Sequence, residues 1–227
     1  MDPLAGSPWS APDTVTGFVR SPPNNVLLSA AATALDLVDD RRLLDIGCGA
    51  GRNAVPLARM GWNVLGIDLS WPMLIAARDR AANDDERDHL LLALAPMDHL
   101  PVRTSSVDFI VAHGIWNLAP SGATFRKAVA EAARVARPGA ALFVFTFSRH
   151  TLPPEAEPVA GERFVFTQFS GQPQCFLTAD ELVDELSTSG FLHDPGVPIR
   201  EYNRPHPGAL IRGSGPVIYE SLFRRRT

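Results

Sequence analysis

The chain has 227 residues, of which 45% are hydrophobic and 20% are charged, and its formal net charge is −4 at pH 7. This length and composition are typical of one large globular α/β domain. The acidic balance and the lack of a dominant basic patch argue against a strong electrostatic hold on nucleic acid.

The cysteines and the apolar segments set further limits. Cys48 and Cys175 lie far apart without metal-ligand spacing, so the sequence predicts neither a disulfide framework nor a metal site. No stretch of about 18 apolar residues occurs, and no transmembrane helix is therefore expected. The first residues lack the basic region and apolar core of a secretory signal. We therefore expect a reduced, cytoplasmic protein with no membrane partner.

The N-terminal part is expected to differ from the rest. Residues 1–25 are rich in Pro, Ser, Gly and Asn, which predicts an irregular arm. Residues 26–38 (VLLSAAATALDLV) have the apolar spacing of a helix. We interpret residues 1–40 as an arm and helix that cover the pocket of a domain formed by residues 41–227.

Nearly continuous apolar runs predict five strands of a parallel sheet that is buried on both faces. The runs cover residues 42–46, 63–68, 89–95, 107–112 and 140–147. Helical patterns separate most of them, over residues 52–60, 70–82 and 122–136. This alternation predicts a doubly wound α/β fold.

The alternation is interrupted by residues 148–177, a proline-rich stretch that includes the aromatic run FVFTQF. A long irregular insertion after a core strand favours a lid-like element. Thr178 and Glu181 then have the spacing of a capping box, which predicts the start of another helix.

Two extended segments follow that helix, at residues 197–203 and 216–223. They predict the last two strands of the sheet, joined as a hairpin through residues 204–215.

Residues 43–68, LLDIGCGAGRNAVPLARMGWNVLGID, carry the most informative motif. A strand containing Asp45 leads into a G-x-G-x-G turn, a helix follows, and a second strand ends in Asp68. This is the layout of a nucleotide-binding βαβ unit. The spacing differs from the G-x-G-x-x-G of dinucleotide sites, and Asp45 would repel a pyrophosphate. A ligand with an ammonium group and a ribose suits these residues better.

The segments LLDIGCGAGRN and VLGIDLS resemble the first two motifs of class I S-adenosylmethionine-dependent methyltransferases. LALAPMDHLPVRTSSVDFIVAHGIWNL and EAARVARPGAALFVFTF are similar to later parts of that family, in the same order. The resemblance runs from about Leu43 to Phe147, and the form GCGAGRN most resembles tellurite-resistance-type and thiopurine-like methyltransferases. It implies a Rossmann-like methyltransferase fold: a seven-stranded, mostly parallel sheet with an antiparallel C-terminal hairpin.

The resemblance also implies S-adenosylmethionine as the cofactor and S-adenosylhomocysteine as the product. Asp68 would accept hydrogen bonds from the ribose hydroxyls, Asp45 and the glycine turn would line the methionine portion, and Met97 and Asp98 would contact adenine. The full set of predicted cofactor-binding residues is Asp45, Gly47, Cys48, Gly49, Gly51, Asp68, Leu69, Met97, Asp98 and His113.

The residues that act on the acceptor are less determined by the sequence. His113 ends the fourth strand, and is either a general base or a histidine packed beside the cofactor. It is the one weak candidate for a catalytic residue, and the catalytic residues are otherwise unknown. Arg20, Arg52 and Trp116 are predicted to line the substrate pocket. Arg52 would face the cofactor carboxylate, an anionic acceptor or solvent.

The leading hypothesis is a methyltransferase that modifies a small-molecule acceptor by in-line displacement, as a monomer or a homodimer. A methyltransferase for tRNA or a protein side chain is the first alternative, although HGIW stands where an N-P-P-Y-type tetrapeptide would follow the fourth strand. The second alternative is a non-catalytic S-adenosylmethionine-binding protein. A dinucleotide oxidoreductase is disfavoured by the glycine spacing.

Overall fold

The computed structural model describes residues 2–82, 89–204 and 215–227. The strands are β1 Arg42–Ile46, β2 Asn63–Asp68, β3 Leu90–Leu94, β4 Val107–His113, β5 Ala136–Phe147, β6 Val165–Phe166, β7 Gln174–Cys175, β8 Phe191–His193, β9 Arg200–Tyr202 and β10 Ile218–Arg225. The helices are α1 Pro12–Arg20, α2 Asn25–Leu35, α3 Ala54–Arg59, α4 Trp71–Ala82, α5 Gly122–Val135 and α6 Ala179–Thr188.

The main sheet has the strand order β3-β2-β1-β4-β5-β10-β8, and β9 pairs with the same strand β10. Strands β1 to β5 are parallel, whereas β10 runs antiparallel to β5 and to its other neighbours. The predicted fold class, a mostly parallel doubly wound sheet with antiparallel C-terminal strands, is confirmed, although the sheet has eight strands and not the predicted seven. The outer edge of β10 pairs with two short segments, β8 and β9, of which β8 was not predicted.

Helices cover both faces of the sheet and give it two apolar cores. One core joins the sheet to α5 and α6, with side chains such as Phe125 and Leu186. The other joins it to α2 and α3, with Leu27 and Leu57 among its members. Burial on both faces explains why the central strands are nearly uninterrupted apolar runs.

The N-terminal arm is more ordered than its composition predicts, because residues 12–20 form helix α1. Pro12 occupies the first turn of this helix, where a missing N–H costs nothing, and Asp13 and Arg20 have the charges that the helix ends favour. None of its residues is fully buried, but α1 contacts α4. The expectation of an irregular arm was therefore wrong for this stretch.

Residues 148–177 form a packed segment beside the sheet. β6 and β7 pair as a small antiparallel ladder, and Phe164 is buried in the core with Phe125. Phe166 and Phe176 belong to a separate buried cluster with Leu152. Buried apolar side chains of its own therefore hold this segment in place.

The predicted connection over residues 204–215 lies outside the described residues, apart from its two end positions. In the described residues, no helix is both long and apolar enough to cross a membrane.

Helix α6 gives a direct test of a local sequence signal. Thr178 accepts a hydrogen bond from the Glu181 N–H at 3.2 Å, and the Glu181 carboxylate accepts one from the Thr178 N–H at 2.9 Å. Thr178→Ala should lower the free energy of unfolding by about 1 kcal/mol, because an N-cap acceptor is lost. Urea denaturation would measure it. Ser187→Ala in the same helix is the control, and an equal loss there would contradict the capping assignment.

Candidate functional site

The glycine turn between β1 and α3 is tied to the end of β2. The N–H groups of Gly47 and Cys48 both donate to the Ile67 carbonyl, at 2.8 and 2.9 Å. Gly47 and Gly49 have φ angles of 71° and 53°, in the left-handed region. A Cβ on Gly47 would lie 2.8 Å from the Ile115 side chain. The turn therefore requires glycine both for its conformation and for this close approach.

Asp68 connects the turn to the next helix. One carboxylate oxygen accepts from the Gly49 N–H at 2.9 Å, and the other accepts from the Ser70 N–H at 2.8 Å. Burial raises the pKa of Asp68, and these main-chain donors oppose that effect. The side chain also lines a cavity at the carboxyl ends of the parallel strands. Asp68 thus presents a fixed hydrogen-bond acceptor to any ligand there.

A cavity of about 360 Å³ lies at the carboxyl ends of the parallel strands. This is where ligands bind in open α/β sheets, and the volume is in the range of small-molecule sites. Its walls are mostly apolar and include main-chain atoms of the glycine turn. The N-terminal arm contributes three side chains to the lining, those of Leu4, Trp9 and Phe18.

The arm is fastened over this cavity by polar contacts to the start of α4. The Ser10 and Ser70 hydroxyls lie 2.9 Å apart, and the Ser70 hydroxyl also donates to the Trp9 carbonyl at 3.3 Å. The Trp71 N–H donates to the Asp2 carboxylate at 3.1 Å. These contacts hold the first residues of the arm against the start of α4, beside the cavity.

Asp45 lies behind the glycine turn with 1% of its surface exposed. Its Oδ2 atom is buried and has no hydrogen-bond partner. Burial raises the pKa of this carboxyl to about 7; the Arg52 charge opposes the rise and the Asp68 charge adds to it. A buried acceptor without a donor is costly, so the site favours a ligand that brings a cation or an N–H group.

His113 lines the cavity at the end of β4. Its ring stacks on Phe145 with a centroid distance of 4.0 Å. The Arg52 Nη2 atom lies 2.9 Å from Nδ1, and the Asn24 Nδ2 atom lies 3.2 Å from Nε2. Burial and the Arg52 charge lower the pKa of His113 to about 3. The imidazole is therefore neutral at physiological pH, and a poor proton acceptor.

Most of the predicted cofactor residues come together on this cavity. The lining includes Gly47, Gly49, Asp68, Leu69, Met97, Asp98 and His113. The Asp98 carboxylate also accepts from Lys127 Nζ at 3.0 Å.

The three other predicted cofactor residues, Asp45, Cys48 and Gly51, are buried behind the wall. Burial raises the pKa of the Cys48 thiol, so this cysteine is not a reactive thiolate.

The predicted substrate-pocket residues are dispersed. Arg20 is exposed at the end of α1 and does not line the cavity. Trp116 is 1% exposed and packs edge-on against Phe125, inside the core. Phe164 is buried with it, so these rings stabilise the fold rather than form the cavity wall. Arg52 does not line the cavity either, but its Nη2 atom lies 2.9 Å from Nδ1 of the cavity residue His113.

Sequence reasoning missed several residues that meet at the site. The signal that could have identified Asn24 is its residue type, which favours helix N-caps. Its Oδ1 atom accepts from the Leu27 N–H at 2.9 Å. Its amide also donates to Glu220 at 2.6 Å, and Glu220 accepts from the Tyr202 hydroxyl at 2.9 Å. These partners are far apart in the sequence, and no local signal connects them.

Residues 44–144 match the protein family described as a methyltransferase domain. The matched span begins in β1, includes the glycine turn with Asp45 and Asp68, and ends in β5. It therefore contains the part of the sheet that forms most of the cavity wall.

Individual proteins resemble this chain more loosely. A ubiquinone biosynthesis O-methyltransferase from Hahella chejuensis is 32% identical over 126 residues, which are 51% of this chain and 50% of that protein. A SAM-dependent methyltransferase structure from Methanosarcina mazei has a TM-score of 0.64 at 20% identity, covering 84% of this chain and 95% of that one. The [4+2]-cyclase SpnF has a TM-score of 0.67 at 20% identity, covering 89% and 81%. At this identity the solved structures show the fold alone, and the chain spans about half the length of its first curated relatives.

The burial of the Asp45 carboxyl leads us to predict how the free energy of unfolding depends on pH. Its pKa is about 7 in the folded protein and 3.8 ordinarily, so the folded state holds more protons between these values. The contribution of Asp45 to stability is thus present at low pH and lost as pH rises through this window. Asp45→Asn should therefore stabilise the ligand-free protein, by up to about 4 kcal/mol at pH 8 and by much less at pH 4.

Urea denaturation at the two pH values would measure the difference. Asp79→Asn, at an exposed carboxylate paired with Arg78, is the control. A gain for Asp45→Asn that does not grow with pH would contradict the assigned burial cost.

Proposed function

We propose that the protein transfers a methyl group from S-adenosylmethionine to a small-molecule acceptor, because residues 44–144 match a methyltransferase domain family and the fold is shared with a solved SAM-dependent methyltransferase. The match supports the predicted family and cofactor class, and the described sheet has the predicted fold class. The acceptor and the in-line mechanism belong to the proposal.

The observation that carries the proposal is the buried, unpartnered carboxylate oxygen of Asp45. An ammonium group would pair with it and remove the cost of its burial. Asp68 lines the cavity itself, in contrast to Asp45 behind its wall, and can accept hydrogen bonds from a ribose diol. Met97 and Asp98 lie on the wall that adenine would occupy. The residues present therefore fit S-adenosylmethionine.

S-adenosylmethionine, when bound, supplies a methyl group on a positively charged sulfur that needs no further activation. The contribution of the chain is to hold both reactants in line, which can account for about 7–11 kcal/mol of the barrier. The arm side chains Leu4, Trp9 and Phe18 cover the cavity and exclude water from it. His113 is neutral and does not act as a base.

The small-molecule class is supported by this enclosure. A cavity of about 360 Å³ under an arm suits a compact acceptor better than a nucleic acid or a protein surface. The net charge of −4 also disfavours a polyanionic partner. The O-methyltransferase relative acts in ubiquinone biosynthesis by its name, which is consistent with a small acceptor.

A non-catalytic binding protein remains the second candidate function. The fold is shared with a protein named as a [4+2]-cyclase, so the fold alone does not imply methyl transfer. Turnover of the cofactor decides between the two.

The proposal predicts that S-adenosylhomocysteine accumulates when the protein is incubated with S-adenosylmethionine and a suitable acceptor. The panel should contain thiols, phenols, carboxylic acids, small amines, chalcogen oxyanions and bulk tRNA, with product measured by mass spectrometry. Asp68→Ala is the matched variant, and it should weaken cofactor binding by about 2–4 kcal/mol because two hydrogen bonds to a charged group are lost.

Asp98→Ala should cost less, about 1–2 kcal/mol, because one contact is lost. Product with tRNA alone would favour the macromolecular alternative. Cofactor binding without turnover of any acceptor would favour the non-catalytic one.

His113 gives a separate prediction about pH. Because the pKa of His113 is lowered to about 3, the pH–rate profile should show no limb near pH 6.5 that depends on this residue. His113→Ala should weaken ligand binding and change kcat little at saturation. A limb near pH 6.5 that disappears in the variant would identify His113 as a general base and contradict the structure-based assignment.

A further inference from the structure

Three side chains at the end of β4 form a cluster that we name the donor corner: Asn24, Arg52 and His113. The Arg52 Nη2 atom lies 2.9 Å from His113 Nδ1 and 3.2 Å from Nε2. The Asn24 Nδ2 atom lies 3.2 Å from His113 Nε2. Both neighbours thus present N–H groups to the ring.

The orientation of the Asn24 amide is fixed by its other contacts. Its Oδ1 atom accepts from the Leu27 N–H at 2.9 Å. Its Nδ2 atom lies 2.6 Å from a Glu220 carboxylate oxygen, which accepts hydrogen bonds and donates none. The nitrogen therefore faces His113, and a flipped amide would break two hydrogen bonds. Arg52 has no acceptor atom in any orientation.

The corner consequently holds more donors than acceptors. A neutral imidazole accepts one hydrogen bond and donates one, whereas Asn24 and Arg52 both present N–H groups to the His113 ring. In the described residues, no carboxylate lies within 4.0 Å of the Arg52 guanidinium, which has five N–H groups. A ligand with an accepting oxygen would satisfy this surplus.

The charges around Arg52 also favour a ligand with an anionic group. Burial lowers the pKa of Arg52; the Asp45 charge opposes this effect and the Arg80 charge adds to it. The Nη1 atom of Arg80 is itself buried without a hydrogen-bond partner. Once an ammonium group occupies Asp45, the two guanidiniums would lack a counter-charge. An anion is therefore the ligand that the corner lacks.

The position of the corner favours the acceptor over the cofactor. His113 pairs in register with Phe145 of β5, and Phe145 pairs with Glu220 of β10. The corner thus adjoins the β4–β5–β10 half of the sheet. Asp68 and Asp98, which we assign to ribose and adenine, lie at the end of β2 and after β3. These strands form the other half of the sheet.

We propose that the donor corner binds an anionic oxygen of the methyl acceptor, so that the substrate class is a small molecule carrying a carboxylate or an ionised hydroxyl. This inference rests on the proposed methyltransferase function. The carboxylate of the cofactor has the same chemistry, and the experiment must separate the two sources.

The first arm measures binding of S-adenosylhomocysteine and of its decarboxylated analogue by calorimetry. Arg52→Gln should change the ratio of the two affinities by less than about 3-fold if the corner serves the acceptor. Arg78→Gln, which removes an exposed cation from α4, is the matched control. The opposite result would be a wild type that prefers S-adenosylhomocysteine by 10-fold or more and an Arg52→Gln variant that binds both compounds alike. That result would assign the corner to the cofactor and overturn the proposal.

The second arm uses the acceptors that the turnover panel identifies, each compared with its neutral amide or methyl ester. Arg52→Gln should raise KM for an acidic acceptor by about 10- to 100-fold with little change in kcat. Arg52→Lys keeps the charge and should recover part of this loss, which a purely structural role would not predict. Circular dichroism checks that both variants are folded.

Equal turnover of acidic and neutral acceptors, or an unchanged KM in Arg52→Gln, would overturn this inference alone. Absence of turnover with every acceptor would overturn the proposed function, and this inference with it.

Discussion

A carboxylate buried at the end of the central strand is the constraint on which the site depends. Asp45 has 1% of its surface exposed, and one of its oxygens lacks a partner. Such a group costs the ligand-free fold free energy, which the glycine turn and the strands around it must offset. We propose that a bound cationic group compensates this cost, which would link stability and ligand binding through one side chain.

The rest of the cavity is organised around that position. Gly47 and Cys48 hold the turn against the end of β2, and Asp68 fixes the turn from the other side through the Gly49 N–H. The arm is held beside the cavity by the hydroxyl contacts of Ser70. These contacts join elements that line the cavity to their neighbours, so the cavity is largely pre-formed.

The sequence predicted the sheet and the glycine turn well, because those signals are local. Apolar runs give parallel strands, and the acid–glycine–acid spacing of residues 45–68 gives the turn. The Thr178–Glu181 capping box was also readable and is present. Side-chain contacts in the cores and in the donor corner join segments that are far apart in the sequence, so the sequence alone did not predict them. Trp116 was expected on the cavity and is buried in the core.

The donor corner shows the same limit. Asn24 and Glu220 are 196 positions apart, yet their side chains meet at 2.6 Å. Composition also misled the reading of the arm, because its Pro, Ser and Gly content concealed helix α1. A short helix can be stabilised by tertiary contacts that propensity does not report.

If Asp45 receives the ammonium group of the cofactor, binding must release a proton, and this release can be measured. The pKa of Asp45 is about 7 without ligand, so binding a cation at pH 7 must displace its remaining proton. Titration calorimetry of S-adenosylhomocysteine in buffers of different ionisation enthalpy measures this release. We expect about 0.5 proton per site at pH 7 in the wild type and none in Asp45→Asn. Tight binding without proton release, or equal release in the variant, would contradict the account.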